Sequence, residues 1–407
     1  MIDQLTLTNF KAFQHVDLPL GPLTLLTGLN SSGKSSVLQA LGLLQQSYTA
    51  GDFDDVRDLV EAAGSGEVTT ADNGFLLNGE LVSLGTGHDV LHEDFTGDEP
   101  AITLAVNEGP YRYAWTVAYD AEQNLLPLIR VDLPLTTEGG TPPAKNPVVA
   151  SRTHKVAATG DAAVVPGWLT AGFQYLHADR ISPAEFYPRD HHVSIGRGFL
   201  GVRGEHTVNF LRHHAREEVP AGPLRHPRAA SARLLDQAAA WMGELCPGVD
   251  LTAEPIDGTD SVRLSYGFDG PRGTRRRPTN VGFGLTYALP VVVACLTARR
   301  GSLVLLENPE AHLHPRGQTR MAALVSAAAA HGAQLVVETH SDHVLNGVRL
   351  AVKRGVLAPE RAVLHYFRGG SMGSEVTSPR IDRDGLLDEW PEGFFDEVEN
   401  ALDELLA

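Results

Sequence analysis

The chain has 407 residues, 43% of them hydrophobic, two cysteines and a formal net charge of −17. Its length suits one elaborated domain or two small ones with a substantial core, and two cysteines, Cys246 and Cys295, exclude a disulfide-stapled scaffold. Net acidity argues against a general grip on nucleic acid, which draws its affinity from phosphate contacts. The longest apolar stretch, Ala288 to Ala298, falls short of the roughly 20 residues that span a bilayer. No charged start with an apolar core marks a signal peptide, so a soluble cytoplasmic protein with no membrane partner is expected.

In chain order, Met1 to Phe13 alternates apolar and polar residues and opens a strand pair. Leu23 to Thr27 is a short apolar run that reads as a buried strand. Gly28-Leu29-Asn30-Ser31-Ser32-Gly33-Lys34-Ser35-Ser36 comes next, and a helix is expected from Ser35 to about Gln46. Two glycines let this loop curl with its amides turned inward around a phosphate, and the positive helix N-terminus faces the same anion. Lys34 would reach the β- and γ-phosphates and the Ser35 hydroxyl would ligand Mg²⁺, so Gly28 and Asn30 to Ser36 form a nucleotide-binding set calling for ATP and Mg²⁺.

Residues 49–75 are acidic and glycine-rich, an irregular excursion. Residues 76–135 alternate in strand fashion and suggest an antiparallel sheet flanking the nucleotide. Residues 136–165 read as a loop, 228–246 as an amphipathic helix and 249–268 as two strands. Charge is uneven: residues 52–108 hold fourteen acids and one base, whereas 180–233 hold nine arginines, five acids and six histidines. The basic stretch has two readings, a nucleic-acid surface or a partner for the acidic segment of the same or a neighbouring chain. Arg272 with Arg275 to Arg277 has four: nucleic acid, a partner's γ-phosphate, an acidic face of another subunit, or a solvated hairpin tip.

From 280 onward strand and helix alternate (303–307, 315–330, 334–338, 341–354, 361–367), the mark of a parallel sheet covered by helices. Leu303-Val304-Leu305-Leu306 ends in Glu307, which takes the Mg²⁺-side role that an aspartate usually fills. The next position, where a general base belongs, is Asn308, and an amide cannot accept a proton. Glu310 is the nearest carboxylate able to substitute. Loss of a general base costs about 10²–10⁴ in rate, so turnover is expected to be slow or its base to come from elsewhere. Gly282 and Gly284, around Phe283 and just before Thr286, leave backbone amides bare where another helix begins, which reads either as a second anion site or as a glycine-rich strand-to-helix turn.

These motifs carry a resemblance. The opening strand with its GLNSSGKSS loop is similar to that of ABC-class ATPases of the SMC/RecF/OLD type. Asn280 to Thr286 resembles their signature motif, and Val336 to Ser341 their switch-histidine strand, with His340 as γ-phosphate sensor. The resemblance implies ATP sandwiched between two heads, hence self-association. Asp388 to Phe395, Leu76 to Gly85 and Tyr175 to Arg180 resemble a compact prokaryotic subfamily often found in phage-defence loci, whose members commonly carry glutamine where Asn308 stands. His312/His314 and His340/His343 have ligand-like spacing, but zinc needs three or four convergent ligands, and the resemblance places these histidines in the inter-head loop and the sensor.

The expected fold is therefore α/β, a P-loop NTPase with an ABC/SMC-type head, a mainly parallel central sheet, a flanking antiparallel sheet and a helical insertion. No sustained heptads announce a long coiled coil. The expected layout is a head over 1–370 (N-lobe 1–135, insertion about 136–270, C-lobe 271–370) and an acidic module over 371–407. The 67 residues after His340 are expected to be too few for the nuclease domain of OLD proteins, so any cutting falls to a separate effector chain. The competing reading is a catalytically weak ATP-binding scaffold that holds a partner; a transporter ATPase is disfavoured by the SMC-like opening strand.

Overall fold

A computed structural model describes residues 1–51, 73–98, 100–132, 135–136, 162–163, 166–268, 273–370 and 373–406. The expectations for 52–72, for Arg272 and for nearly all of 136–165 lie outside them. The chain divides into two compact units: Met1–Leu20, Ser31–Ala171 and Gly369–Glu375 form one, and Gly21–Asn30, Gly172–Arg368 and Val376–Ala407 the other.

In the first unit β1 (Gln4–Phe10), β2 (Phe13–Pro19), β4 (Gly74–Leu76), β5 (Ala101–Glu108), β6 (Tyr111–Ala118) and β7 (Leu125–Asp132) form a sheet in the order β2-β1-β5-β6-β7-β4. Its pairs are antiparallel, as the alternating pattern predicts. Leu5 and Leu7 of β1 face the core while their neighbours are half-buried. A two-residue pair, β8 (Leu135–Thr136) with β9 (Ala162–Ala163), stands apart. The helix Lys34–Ala50 outruns its expected end near Gln46, with Ser47 still on its buried face. Gly51, at φ 89°, stops it by turning its amide back to the Ser47 and Tyr48 carbonyls.

In the second unit β3 (Leu23–Gly28), β10 (Phe173–Leu176), β14 (Leu303–Glu307), β15 (Gln334–Glu338) and β16 (Ala362–Gly370) run parallel in the order β10-β14-β15-β3-β16. β17 (Gly373–Thr377) comes next in the chain. Leu303 to Leu306 and Leu335 to Val337 are fully buried, which is why these strands are continuous apolar runs instead of alternating ones. Helices Phe283–Thr297, Pro315–His331 and Asp342–Lys353 supply the alternation. A small sheet, β11 (Tyr187–Pro188), β13 (Ser261–Gly267) and β12 (Asp250–Pro255), packs with helices Thr207–His214 and Leu234–Leu245.

That last helix was expected from 228 but starts at Leu234. Residues before it are held in irregular backbone by its own side chains: Gln237 accepts from the His226 amide at 2.6 Å and Trp241 donates to the Leu224 carbonyl at 2.9 Å. The basic clusters find acids close by in the second unit, Arg275 with Asp250 at 2.8 Å, Arg277 with Glu185 at 2.6 Å and Arg203 with Asp179 at 3.2 Å. Near the C-terminus Phe394 is fully buried against Tyr366 and Trp390, and Arg349 lies over the Trp390 ring. The WPEGFF segment is thus an aromatic cover on β16 and the Asp342–Lys353 helix. Among the described residues no helix is long and apolar enough to cross a membrane, and the longest helices have 17 residues.

Candidate functional site

Parallel strands end together, so the loops leaving their carboxyl ends share one edge of the sheet. Leu26 of β3 pairs with Glu338, and Glu338 with Glu307. Gly28 to Asn30 leaving β3, Glu307 to Glu310 leaving β14 and Thr339 to His340 leaving β15 therefore emerge side by side in the second unit.

Glu307 is held from β10. The Tyr175 hydroxyl donates to its Oε1 at 2.7 Å and the Ala178 amide to its Oε2 at 2.9 Å. Two donors on a carboxylate, each worth about 1.5–3 kcal/mol, fix its direction. Burial, with Glu307 beside it, pushes the Tyr175 hydroxyl well above its usual range, so it stays a donor. Each carboxylate oxygen keeps a further lone pair, and a carboxylate oriented by outer hydrogen bonds is a fit Mg²⁺ ligand.

Beyond Glu307 the chain turns sharply. Asn308 has φ 43°, a left-handed conformation, with its amide donating to the Glu338 carbonyl at 2.8 Å. Its Oδ1 is buried and has no hydrogen-bond partner among the described residues. Glu310 is buried with one oxygen engaged: Oε1 accepts from the Thr339 hydroxyl at 2.7 Å and the His340 amide at 3.1 Å, while Oε2 is unpartnered among the described residues. Burial raises its pKa, against the pull of Thr339, His340 and Arg180. The His340 side chain is exposed, and Ser341 caps the next helix by accepting from the Val344 amide at 3.1 Å. Gln318 ties this corner to the EAHLHP loop, accepting from the Ser341 hydroxyl at 2.6 Å and donating to the Leu313 carbonyl at 2.9 Å.

The glycine pair also lies in the second unit. Gly282 caps the Phe283–Thr297 helix in extended backbone and has open space around its Cα. Gly284 approaches the EAHLHP loop so closely that a Cβ would sit 2.5 Å from the His312 carbonyl oxygen. Phe283 is 54% exposed and Thr286 is buried. With Arg276, Cys246 and His314, the glycine pair borders a cavity of about 680 Å³.

Ser31 to Ser36 belong to the first unit. Ser31 (φ 59°) and Gly33 (φ 94°) are both left-handed, the conformations a tight loop of inward amides requires. A Cβ on Gly33 would also lie 2.6 Å from the Phe13 ring. Ser32, Lys34 and Ser36 are buried, Ser35 is half-buried, and Asn30 and Ser31 are exposed. No acidic residue occupies the first turn of Lys34–Ala50, so its positive end is left for an anion.

Residues 1–79 match an AAA ATPase domain, and residues 199–346 match the family described as "AAA domain, putative AbiEii toxin, Type IV TA system". Residues 357–405 match a family of proteins of unknown function, DUF3696. A solved SMC head bound to the C-winged helix domain of ScpA aligns with TM-score 0.51 and 13% identity, over 93% of this chain and 98% of that one. The fold is that of an SMC-type P-loop NTPase head. An Smc head domain with an extended coiled coil, bound to the C-terminal domain of ScpA and derived from Pyrococcus furiosus, aligns at TM-score 0.48 and 12% identity, over 100% of this chain and 99% of that one. Over 44 residues the head is 43% identical to the OLD nuclease of Thermus scotoductus (strain ATCC 700910 / SA-01), a stretch covering 11% of this chain and 8% of that protein. With the two ATPase-domain matches, the chain is similar to P-loop ATPases of the SMC/RecF/OLD type.

Three side chains of this head were given no role by sequence reasoning: Tyr175, Arg180 and Thr339. All reach the Glu307–Glu310 turn. The available signal was the segment Tyr175 to Arg180 itself, singled out for its resemblance, with the tyrosine in β10 and the arginine just after it.

Proposed function

We propose that the chain binds ATP·Mg²⁺, hydrolyses it slowly, and acts as an ATP-gated switch that associates with itself. The observation supporting this most strongly is the shared carboxyl edge of β3, β14 and β15, where the start of the glycine loop, two carboxylates and an exposed histidine emerge together. In this reading Gly28 and Asn30 to Ser36 take the phosphates, Lys34 reaches the β- and γ-phosphates, and Ser35 and Glu307 hold Mg²⁺. The bound ion would neutralise charge on the phosphate oxygens. Water attacks the γ-phosphorus, the bond to the bridging oxygen breaks, and the water's proton passes to Glu310, since Asn308 cannot accept it. His340 meets the γ-phosphate, and Gly282, Phe283, Gly284 and Thr286 of a second copy close over it.

The client is proposed by likeness alone: a toxic effector or nuclease chain, or nucleic acid, in prokaryotic anti-phage defence or DNA transactions. Support comes from the toxin–antitoxin wording of one matching family and the short likeness to an OLD nuclease. The amide at Asn308 favours a second reading, a catalytically weak ATP-binding scaffold that holds a partner effector. Calorimetric titration with ATP·Mg²⁺ tests the nucleotide assignment. Lys34→Ala removes charge-assisted bonds worth about 1.5–3 kcal/mol, so affinity should fall roughly 10- to 100-fold; undiminished binding would refute the loop assignment.

A further inference from the structure

Arg180 is the one arginine among the largest fully buried side chains of the described residues. It leaves β10 where that strand runs parallel to β14, with Leu176 beside Leu306, so the chain after it passes the end of Glu307. Its guanidinium donates to two successive backbone carbonyls, that of Glu307 and, at 3.2 Å, that of Asn308. A buried cation is costly unless its donors are used, and a rigid planar fork directs N–H groups from two nitrogens at two adjacent carbonyls, which a flexible ammonium does not hold in fixed geometry. Burial lowers its pKa to about 10, while the Glu310 and Glu307 carboxylates hold it up, so it remains charged at neutral pH.

The turn it grips needs gripping. Asn308 is left-handed at φ 43°, a conformation that persists only when its surroundings over-determine it. The Glu338 carbonyl fixes the Asn308 amide and the Ala311 amide bonds the Asn308 carbonyl at 3.1 Å, leaving Arg180 as the side chain that spans both peptide oxygens. Arg180 Nε, Asn308 Oδ1 and Glu310 Oε2 are all buried polar atoms without partners among the described residues. Such atoms require water or ligand, and all three belong to this turn or to the residue holding it.

We propose that Arg180 is a positioning residue that locks the Glu307–Glu310 turn through the backbone carbonyls of Glu307 and Asn308, so that both carboxylates are presented together. The catalytic consequence rests on the ATPase reading; the locking does not. The test therefore has an arm without nucleotide. Arg180→Lys keeps the charge but loses the fork, and Arg180→Ala loses both. In nucleotide-free protein, amide exchange at Asn308 and Ala311 should accelerate at least about tenfold in Arg180→Lys, with helix Lys34–Ala50 unchanged, as for local opening. Unchanged exchange at those amides would overturn the proposal whatever the chemistry of the site.

In the second arm a misplacement of about 1 Å predicts a kcat loss near 10²-fold with ATP affinity within about threefold, and added guanidinium ion should restore part of the turnover of Arg180→Ala. Loss of affinity in proportion to kcat, or kcat within about threefold of wild type in folded Arg180→Lys, would overturn the positioning role. Should Arg180→Ala fail to fold, the Arg180→Lys measurements decide alone. Wild-type protein that neither binds nor turns over ATP would instead sink the ATPase reading and leave the exchange result standing.

Discussion

Gly282 and Gly284 stand two residues apart, yet their surroundings predict opposite responses to a methyl group. A Cβ at Gly284 would lie 2.5 Å from the His312 carbonyl oxygen and 3.4 Å from Leu313 Cδ2. Ordinary contact begins near the second of these distances, so the EAHLHP loop or the helix must move by about 0.9 Å. The loop has little freedom to do so: His312 is itself left-handed at φ 62°, and its ring packs edge-on against Tyr287 at 4.8 Å. Overpacking against backbone costs about 1–3 kcal/mol, and the better helix propensity of alanine returns at most about 1 kcal/mol. Gly284→Ala should therefore lose roughly 1–2 kcal/mol in urea unfolding. Gly282→Ala, with open space and an ordinary φ of −64°, should stay within about 0.5 kcal/mol of wild type. Equal stability of Gly284→Ala and wild type, or equal loss in both variants, would refute the close-approach argument.

Glu310→Gln separates chemistry from structure. An acid whose folded pKa is raised contributes stability that is present below its unfolded value and lost as pH rises through the folded one. Above the usual carboxylate range the amide escapes that loss, so the urea midpoint of Glu310→Gln should match or exceed wild type at pH 8 and lose that advantage at pH 4. ATP turnover of the same variant should fall about 10²–10⁴-fold, whereas Asn308→Glu should raise it; full activity in Glu310→Gln would remove Glu310 from the chemistry.

Much of the central sheet was legible because a parallel strand buried on both faces must be apolar on both, as in Leu303 to Leu306 and Leu335 to Val337. The glycine loop was legible because a left-handed position and a close approach at Gly33 restrict the residue as well as the shape. β10 was not, since four residues with Gln174 among them carry no clear periodicity. Arg180 was hidden for a physical reason. It sits in an arginine-rich stretch that reads as a nucleic-acid surface or as a partner for the acidic segment, and its burial depends on peptide carbonyls 127 and 128 residues away, which no side-chain pattern records. Glu310 was visible as a carboxylate but not as a buried one, because Thr339 and the His340 amide reach it from a different strand.

Solution mass in the absence of nucleotide, with ADP·Mg²⁺ and with ATP·Mg²⁺ tests the switch most directly. The account predicts a mass that rises with ATP·Mg²⁺ alone, because the glycine pair of one copy closes over the γ-phosphate held by another. A mass that ignores the nucleotide, in protein shown to bind it, would contradict the gating and leave the scaffold reading.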